Sequence, residues 1–258
     1  METENSSITY SSDGKINLPN IKKLFIPDEG YEIADADLSG ADIQVVAADS
    51  NCKWLLDYFS KPQAKKVYAQ VASEYLQRDI SDKSDEYKLY KGVFHGSNYL
   101  MGVDKLAKMS GLTLEQAKGL QDFYFRLNPE IRLWHKRIEH DVRTKGYVQN
   151  KFGRRMEFWI TRNNPTVMNE VAAAIPQSTI GDLINRAWVN VVRNLPNLQV
   201  LMQTHDSLTM QYPQSEAEYH RKRILELMLI PVPYKIPLYI ESDIKVSSIS
   251  YGDTKKVK

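Results

Sequence analysis

What most constrains the fold is the placement of the strand-like segments. One lies near the start, one pair lies late in the chain, one closes it, and nearly everything between is helical. The first, Tyr31 to Asp37, follows the turn PDEG and runs into a helix start, where Ser39 and Asp42 are spaced like a capping box. Helical spacing then covers Lys53 to Gln77, interrupted near Pro62, and continues from a Ser84 cap through Leu100. Thr113 and Gln116 form a second capping box, for a helix to Leu127, and another helix follows from Pro129 to Lys145. The stretch KGYVQNKFGRRMEFW alternates around a glycine, as a hairpin would. A long apolar helix with Pro176 as kink or start precedes LQVLMQTHDSLTMQYP, a helix from Ser215 to Met228, and the strand-like PLYIESDIKVS. An α+β chain follows, with a small antiparallel sheet and a large helical insertion. In that sheet Asp37 and Asp206 can meet.

A length of 258 residues suffices for one large domain or two lobes. The chain holds no run of about 18 apolar residues, and METENSSITYSSDGK lacks the apolar stretch of a leader, so no membrane association is expected. The single cysteine, Cys52, excludes an internal disulfide and points to a reducing, intracellular location. With a net charge of +2, phosphate binding must come from local clusters. Candidates are Lys61, Lys65 and Lys66; Arg132, Lys136, Arg137, Arg143 and Lys145; Lys151, Arg154 and Arg155; and Arg221, Lys222 and Arg223. Each has the plainer reading of a solvated helix face, while interleaved Tyr124, Trp134, Tyr147, Phe152 and Trp159 offer rings for stacking.

Two carboxylates at adjoining strand ends repel, so they either share a proton or hold a cation. Mg²⁺ favours such oxygen donors, and two ions could stabilise both the attacking and the leaving oxygen of a phosphoryl transfer. The plainer alternative is that each Asp caps a turn or a helix. Asp35 shares a face with Asp37 and could add a carboxylate, a solvent-facing role being the plainer expectation. In DEYKLYKGVFHGSNYLMG, residues Tyr87, Lys91, His95 and Tyr99 recur every fourth position, with Lys88 at the edge of the stripe. Lys91 offers a point charge to phosphates and the rings a surface for base or sugar; a buried stripe with a snorkelling lysine is the alternative. Gly92 and Gly96 within it suggest close approach by another body.

In this order, DADLSGADIQVVA, KGVFHGSNYLMG and THDSL resemble motifs A, B and C of the family-A DNA polymerases, with connecting segments similar from about residue 15 to 248. The resemblance implies a right-hand polymerase core: a palm at 1–42 and 179–258, and fingers at 43–178. It implies that Asp37 and Asp206, with the Leu38 carbonyl, hold two Mg²⁺ ions. Ser39, Asp42, Lys88, Lys91, His95 and Tyr99 would then meet the nucleotide, and Arg154, Arg155, Gln177 and His205 the primer-template DNA. The reaction implied is attack of a primer 3′ hydroxyl on the α-phosphate of a deoxynucleoside triphosphate, in the cytoplasm of a bacterial or phage-infected cell.

Several residues depart from the family pattern. Asp42 stands for a Glu that lies under the sugar, His95 for Phe or Tyr, Tyr87 for an Arg, Tyr68 for a His, and Ser207 for an acidic residue. The chain starts close to motif A, so thumb and perhaps exonuclease lobes are expected on a second polypeptide. Three other functions stay open: an RNA-synthesising single-subunit relative, a catalytically degenerate subunit that only binds primer-template, and a metal-dependent nuclease.

Overall fold

The computed structural model describes residues 9–10, 16–17, 19–62, 66–158 and 167–257; Lys65 and Trp159, named above, lie outside them. Two short strands, β1 (Thr9–Tyr10) and β2 (Ile16–Asn17), pair with each other. Then come β3 (Tyr31–Leu38), α1 (Ala41–Ser50), α2 (Lys53–Phe59), α3 (Val67–Leu76), α4 (Asp85–Asn98), α5 (Val103–Ser110), α6 (Leu114–Leu127) and α7 (Pro129–Lys145). The hairpin β4 (Tyr147–Gln149) and β5 (Arg155–Glu157) leads to α8 (Met168–Asn194). Last are β6 (Gln199–Thr204), β7 (Ser207–Pro213), α9 (Ala217–Met228), β8 (Ser242–Ser247) and β9 (Lys255–Lys256). This is the expected α+β arrangement.

The chain forms two compact units. Unit 1 is Met1–Ser39, Ile184–Leu229 and Glu241–Lys258; unit 2 is Gly40–Leu183 and Ile230–Ile240. Unit 1 is built on a five-stranded antiparallel sheet in the order β6-β7-β3-β8-β9. Directly opposed residues share a face, so the register fixes two different faces. Glu32, Ala34, Ala36 and Leu38 align with Tyr212, Met210 and Leu208 on one neighbour and with Val246 and Ile244 on the other. That face is mostly apolar, and Ile224, Leu227 and Met228 of α9 are buried in the same unit. The opposite face carries Asp35 between Thr209 and Lys245, and Asp37 between Ser207 and Asp243. It is polar.

Unit 2 has its own core, in which Phe94 and Tyr124 stack at 5.3 Å and Trp134 is fully buried. The Ser84 cap and the Thr113–Gln116 capping box form as the sequence predicts. The first helix does not start as expected. Gly40 at φ 60° is its cap residue in place of Ser39, because the chain turns through a left-handed residue that glycine tolerates best. The helix after Ser84 stops at Asn98, with Tyr99 as its C-cap, and a separate eight-residue α5 follows. α8 runs continuously through Pro176, starting in unit 2 and ending in unit 1. Strand structure at the C-terminal end begins only at Ser242; before it, Val232 and Leu238 form an isolated bridge.

The two glycines of α4 differ in kind. A Cβ on Gly96 would lie 2.6 Å from Leu106 Cδ2, so glycine lets α4 and α5 meet. A Cβ on Gly92 would touch nothing. Each costs about 1 kcal/mol of helix stability relative to alanine, and internal packing offsets it at Gly96 alone.

Candidate active site

The β6–β7 hairpin turns on two residues, His205 and Asp206, with Thr204 paired to Ser207. His205 adopts φ 53°, a region histidine enters more readily than most residues, and is exposed at the tip. The Leu38 N–H donates to the Asp206 carbonyl at 3.0 Å, which ties the turn to the end of β3. Asp37, one residue earlier, pairs with Ser207. Residues far apart in sequence thus place two carboxylates side by side, within hydrogen-bonding reach.

The electrostatics bear the mark of that approach. Asp37 is pushed up to about 6, first by burial and then by the negative charge of Asp206, with Asp35 adding to both. Lys245 opposes the shift. Lys245 is a site residue that sequence reading missed; its alternation with Asp243 in SDIKVS put both on one face, yet nothing local identified their neighbour strand. Asp243 pairs with Lys256 at 2.7 Å. Asp35 corrects an expectation: it is buried, not solvent-facing, and accepts a hydrogen bond from Thr209 Oγ1 at 3.2 Å. The sheet's polar face is covered enough to enclose a carboxylate.

Among the described residues no group of three or more His, Cys, Asp or Glu side chains is gathered for a metal ion. The donor set is therefore two carboxylates, to which the Leu38 carbonyl could be added. It suits a hard divalent cation, because a positive charge would offset both the burial and the repulsion that raise Asp37.

The other predicted nucleotide contacts, Ser39 of unit 1 apart, lie in unit 2. Asp42, in the first turn of α1, accepts a hydrogen bond from Tyr99 Oη and stands 3.4 Å from His95 Nδ1. The His95 and Tyr99 rings meet edge to face at 5.0 Å. Burial, then the charge of Asp42, drives the Tyr99 phenol well above its usual range, so it stays a donor. Lys91 is exposed, and Lys88 is exposed but engaged with Asp85 at 2.7 Å. Tyr87 leaves the stripe: it is buried, because a four-residue step overshoots a helical turn by about 40°, which turns it inward three steps before Tyr99. The outward face of α4 is instead Lys88, Lys91, Gly92 and His95.

Of the predicted DNA contacts, Arg154 is held by Asp182, with Nε at 2.9 Å, while Arg155 lies 4.9 Å over the Tyr147 ring. Gln177 is exposed on α8. The structure thus brings Asp37, Leu38, Ser39, His205 and Asp206 together in unit 1, and gathers Asp42, His95 and Tyr99 in unit 2.

Known proteins resemble the chain in sequence and in fold. The chain is 28% identical over 229 residues to the thermostable DNA polymerase I of Thermus filiformis, covering 86% of this chain and 27% of that protein. It is 22% identical over 232 residues to the DNA polymerase of Mycobacterium phage D29, covering 90% of this chain and 37% of that one. The chain therefore spans well under half of the length of these relatives. Its fold matches the POL domain of Pol1 from M. smegmatis, solved in complex with DNA primer-template and dNTP. The TM-score there is 0.78 at 21% identity, over 94% of this chain and 46% of that one. The family model for DNA polymerase family A matches residues 11–248, nearly the whole sequence, and the chain belongs to that family.

Proposed function

We propose that this chain supplies the catalytic centre for template-directed DNA synthesis, extending a primer 3′ hydroxyl with deoxynucleoside triphosphates. The observation that carries the reading is the convergence of Asp37 and Asp206 at a strand–hairpin junction, with Asp37 raised first by burial and then by the charge of Asp206. On this reading the palm, residues 1–42 and 179–258, corresponds in the main to unit 1 and the fingers, 43–178, to unit 2. Asp37, Asp206 and the Leu38 carbonyl would hold two Mg²⁺ ions, which when bound neutralise phosphate charge and stabilise both the entering and the leaving oxygen. Burial of Asp37 and the tie from Leu38 N–H to Asp206 fix the carboxylates before substrate arrives, so little reorganisation is left to the reacting state. Lys91 is free to meet a triphosphate as a point charge, and Lys88 can do so by leaving Asp85. Ser39, Asp42, His95 and Tyr99 would bound the sugar and base. His205, at the exposed tip beside Asp206, would face the primer end, with Arg154, Arg155 and Gln177 on the DNA.

Primer extension with Mg²⁺ tests the proposal. Asp206→Ala should lower the rate by roughly a thousandfold or more while the fold, followed by circular dichroism, is kept. Undiminished synthesis by that variant would place the chemistry elsewhere and favour a subunit that only binds primer-template. The same assay, run with and without a thumb-bearing polypeptide, tests the expected dependence on a second chain.

A further inference from the structure

We infer that Lys245 is a resident counter-charge of the catalytic centre, an ammonium held beside Asp37 that sets how tightly the centre binds divalent ions. The inference rests on the proposed function, and deepens it.

Strand register carries it. Across the polar face of the sheet, pairing lines up Thr209, Asp35, Lys245 and Lys256 in one row, and Ser207, Asp37 and Asp243 in the next. Opposed residues share a face, and diagonal neighbours on it lie within about 8 Å, a span that a lysine stem covers. Lys245 therefore stands directly opposite Asp35 and diagonally from Asp37, with all of these residues in unit 1.

The surrounding charges give the ammonium its task. Lys256, opposite Lys245 on the outer strand, is engaged with Asp243 at 2.7 Å. Lys245 is half-buried and forms no close ion pair of its own among the described residues, yet Asp37 feels its charge. Asp35 is buried and takes a hydrogen bond from a neutral group, Thr209 Oγ1, so the cation facing it in the sheet is Lys245. Enclosed carboxylates are costly without a positive charge nearby, and Asp35, Asp37 and Asp206 crowd one end of this face. In metal-free protein Lys245 supplies that charge. Divalent ions would neutralise the same carboxylates and meet an ammonium already beside them, which repels them. Lys245 thus steadies the carboxylates before metal binds and loosens their hold on it afterwards. On this account the charge at position 245 matters, and the shape of the side chain does not.

Metal binding to the full chain tests this at low salt and about pH 8, where a carboxyl titrating near 6 is ionised. Mn²⁺ is followed by electron paramagnetic resonance of the free ion, and Mg²⁺ by competition. The proteins are wild type, Lys245→Arg, Lys245→Met, Lys245→Glu and Asp206→Ala. Lys245→Met should bind Mn²⁺ on the order of fivefold more tightly than wild type, and about 0.5 M NaCl should shrink the difference. Lys245→Glu should bind more tightly again, and Lys245→Arg, which keeps the charge, as wild type does. In thermal melts Mg²⁺ should raise the Tm of Lys245→Met more than that of wild type, because tighter binding to the folded state stabilises it further. Equal affinities in all the Lys245 proteins would overturn the inference. So would a loss shared by the Arg, Met and Glu variants, which would make Lys245 a packing residue. Either result leaves the proposed function standing as long as Asp206→Ala weakens Mn²⁺ binding. If Asp206→Ala binds Mn²⁺ as wild type does, the carboxylate pair is not the metal site, and the proposed function falls together with the inference.

Discussion

Asp37 sits where burial and a neighbouring carboxylate act in one direction, and the sign of the consequence is definite. A carboxyl whose folded pKa, about 6, exceeds its unfolded value binds its proton more tightly in the folded state. Its contribution is present at low pH and is lost as pH rises from about 4 through about 6. Urea melts of metal-free protein should therefore show a decline across that window, and Asp206→Asn should lessen it by removing the repelling charge while burial, the larger cause, remains. A slope indifferent to Asp206→Asn would mean that the two side chains do not couple. Asp42 poses the second residue-scale question. One methylene shorter than the Glu implied by the family, it accepts from Tyr99 Oη and stands 3.4 Å from His95 Nδ1. If it limits the sugar, Asp42→Glu should reduce ribonucleotide relative to deoxynucleotide use by roughly tenfold or more, since one methylene in a fitted pocket discriminates to that degree. Competition of the two nucleotides on one template measures this, and an unchanged ratio would remove Asp42 from sugar selection.

Among the elements, α9 is attached to the sheet by a charged group that the apolar face encloses. Glu32 of β3 is buried and receives Arg221 Nε at 2.9 Å and Tyr212 Oη at 2.7 Å. Arg221→Met strands the carboxylate and should cost about 3 kcal/mol in denaturant melts, whereas Glu32→Met combined with Arg221→Met should recover most of it. Losses that simply add would show that Glu32 and Arg221 are not coupled. Sequence reading went far at this scale. Ser84 and Thr113 marked true helix starts because a side-chain oxygen next to a helical pattern has a local task. The His205–Asp206 turn was legible because two alternating segments meet there. What failed needed information from elsewhere. Gly40 displaced Ser39 as cap through a backbone angle that no neighbouring side chain announces. α5 was missed because eight residues between Gly102 and Gly111 give periodicity little to act on. Asp35 looked solvent-facing because only pairing with β7 and β8 encloses it, and Lys245 stayed hidden because strand order is not written locally.

For the whole molecule, the basic clusters that look suited to DNA in the sequence are largely neutralised by the chain's own acids. Arg132 faces Asp122 at 3.4 Å, Arg137 meets Asp49 at 2.8 Å, Arg143 meets Glu139 at 2.9 Å and Lys145 meets Asp141 at 2.8 Å. Lys61 meets Asp57 at 2.6 Å, and Arg223 pairs with Glu226. With a net charge of +2, the chain as a whole offers a duplex little excess positive charge. A primer-template titrated by fluorescence anisotropy at several NaCl concentrations should therefore give a shallow log–log slope, of magnitude below about four. Arg154 offers a handle on that slope, because Asp182 grips it from α8 and also accepts from Asn150 Nδ2 at 2.7 Å. Asp182→Asn should free the guanidinium, tightening binding at low salt and steepening the slope by about one. A slope near ten in wild type would instead mean that DNA breaks the exposed pairs open, those other than Arg137 with the buried Asp49, which their individual strengths of at most about 1 kcal/mol would permit if enough phosphates came within reach at once.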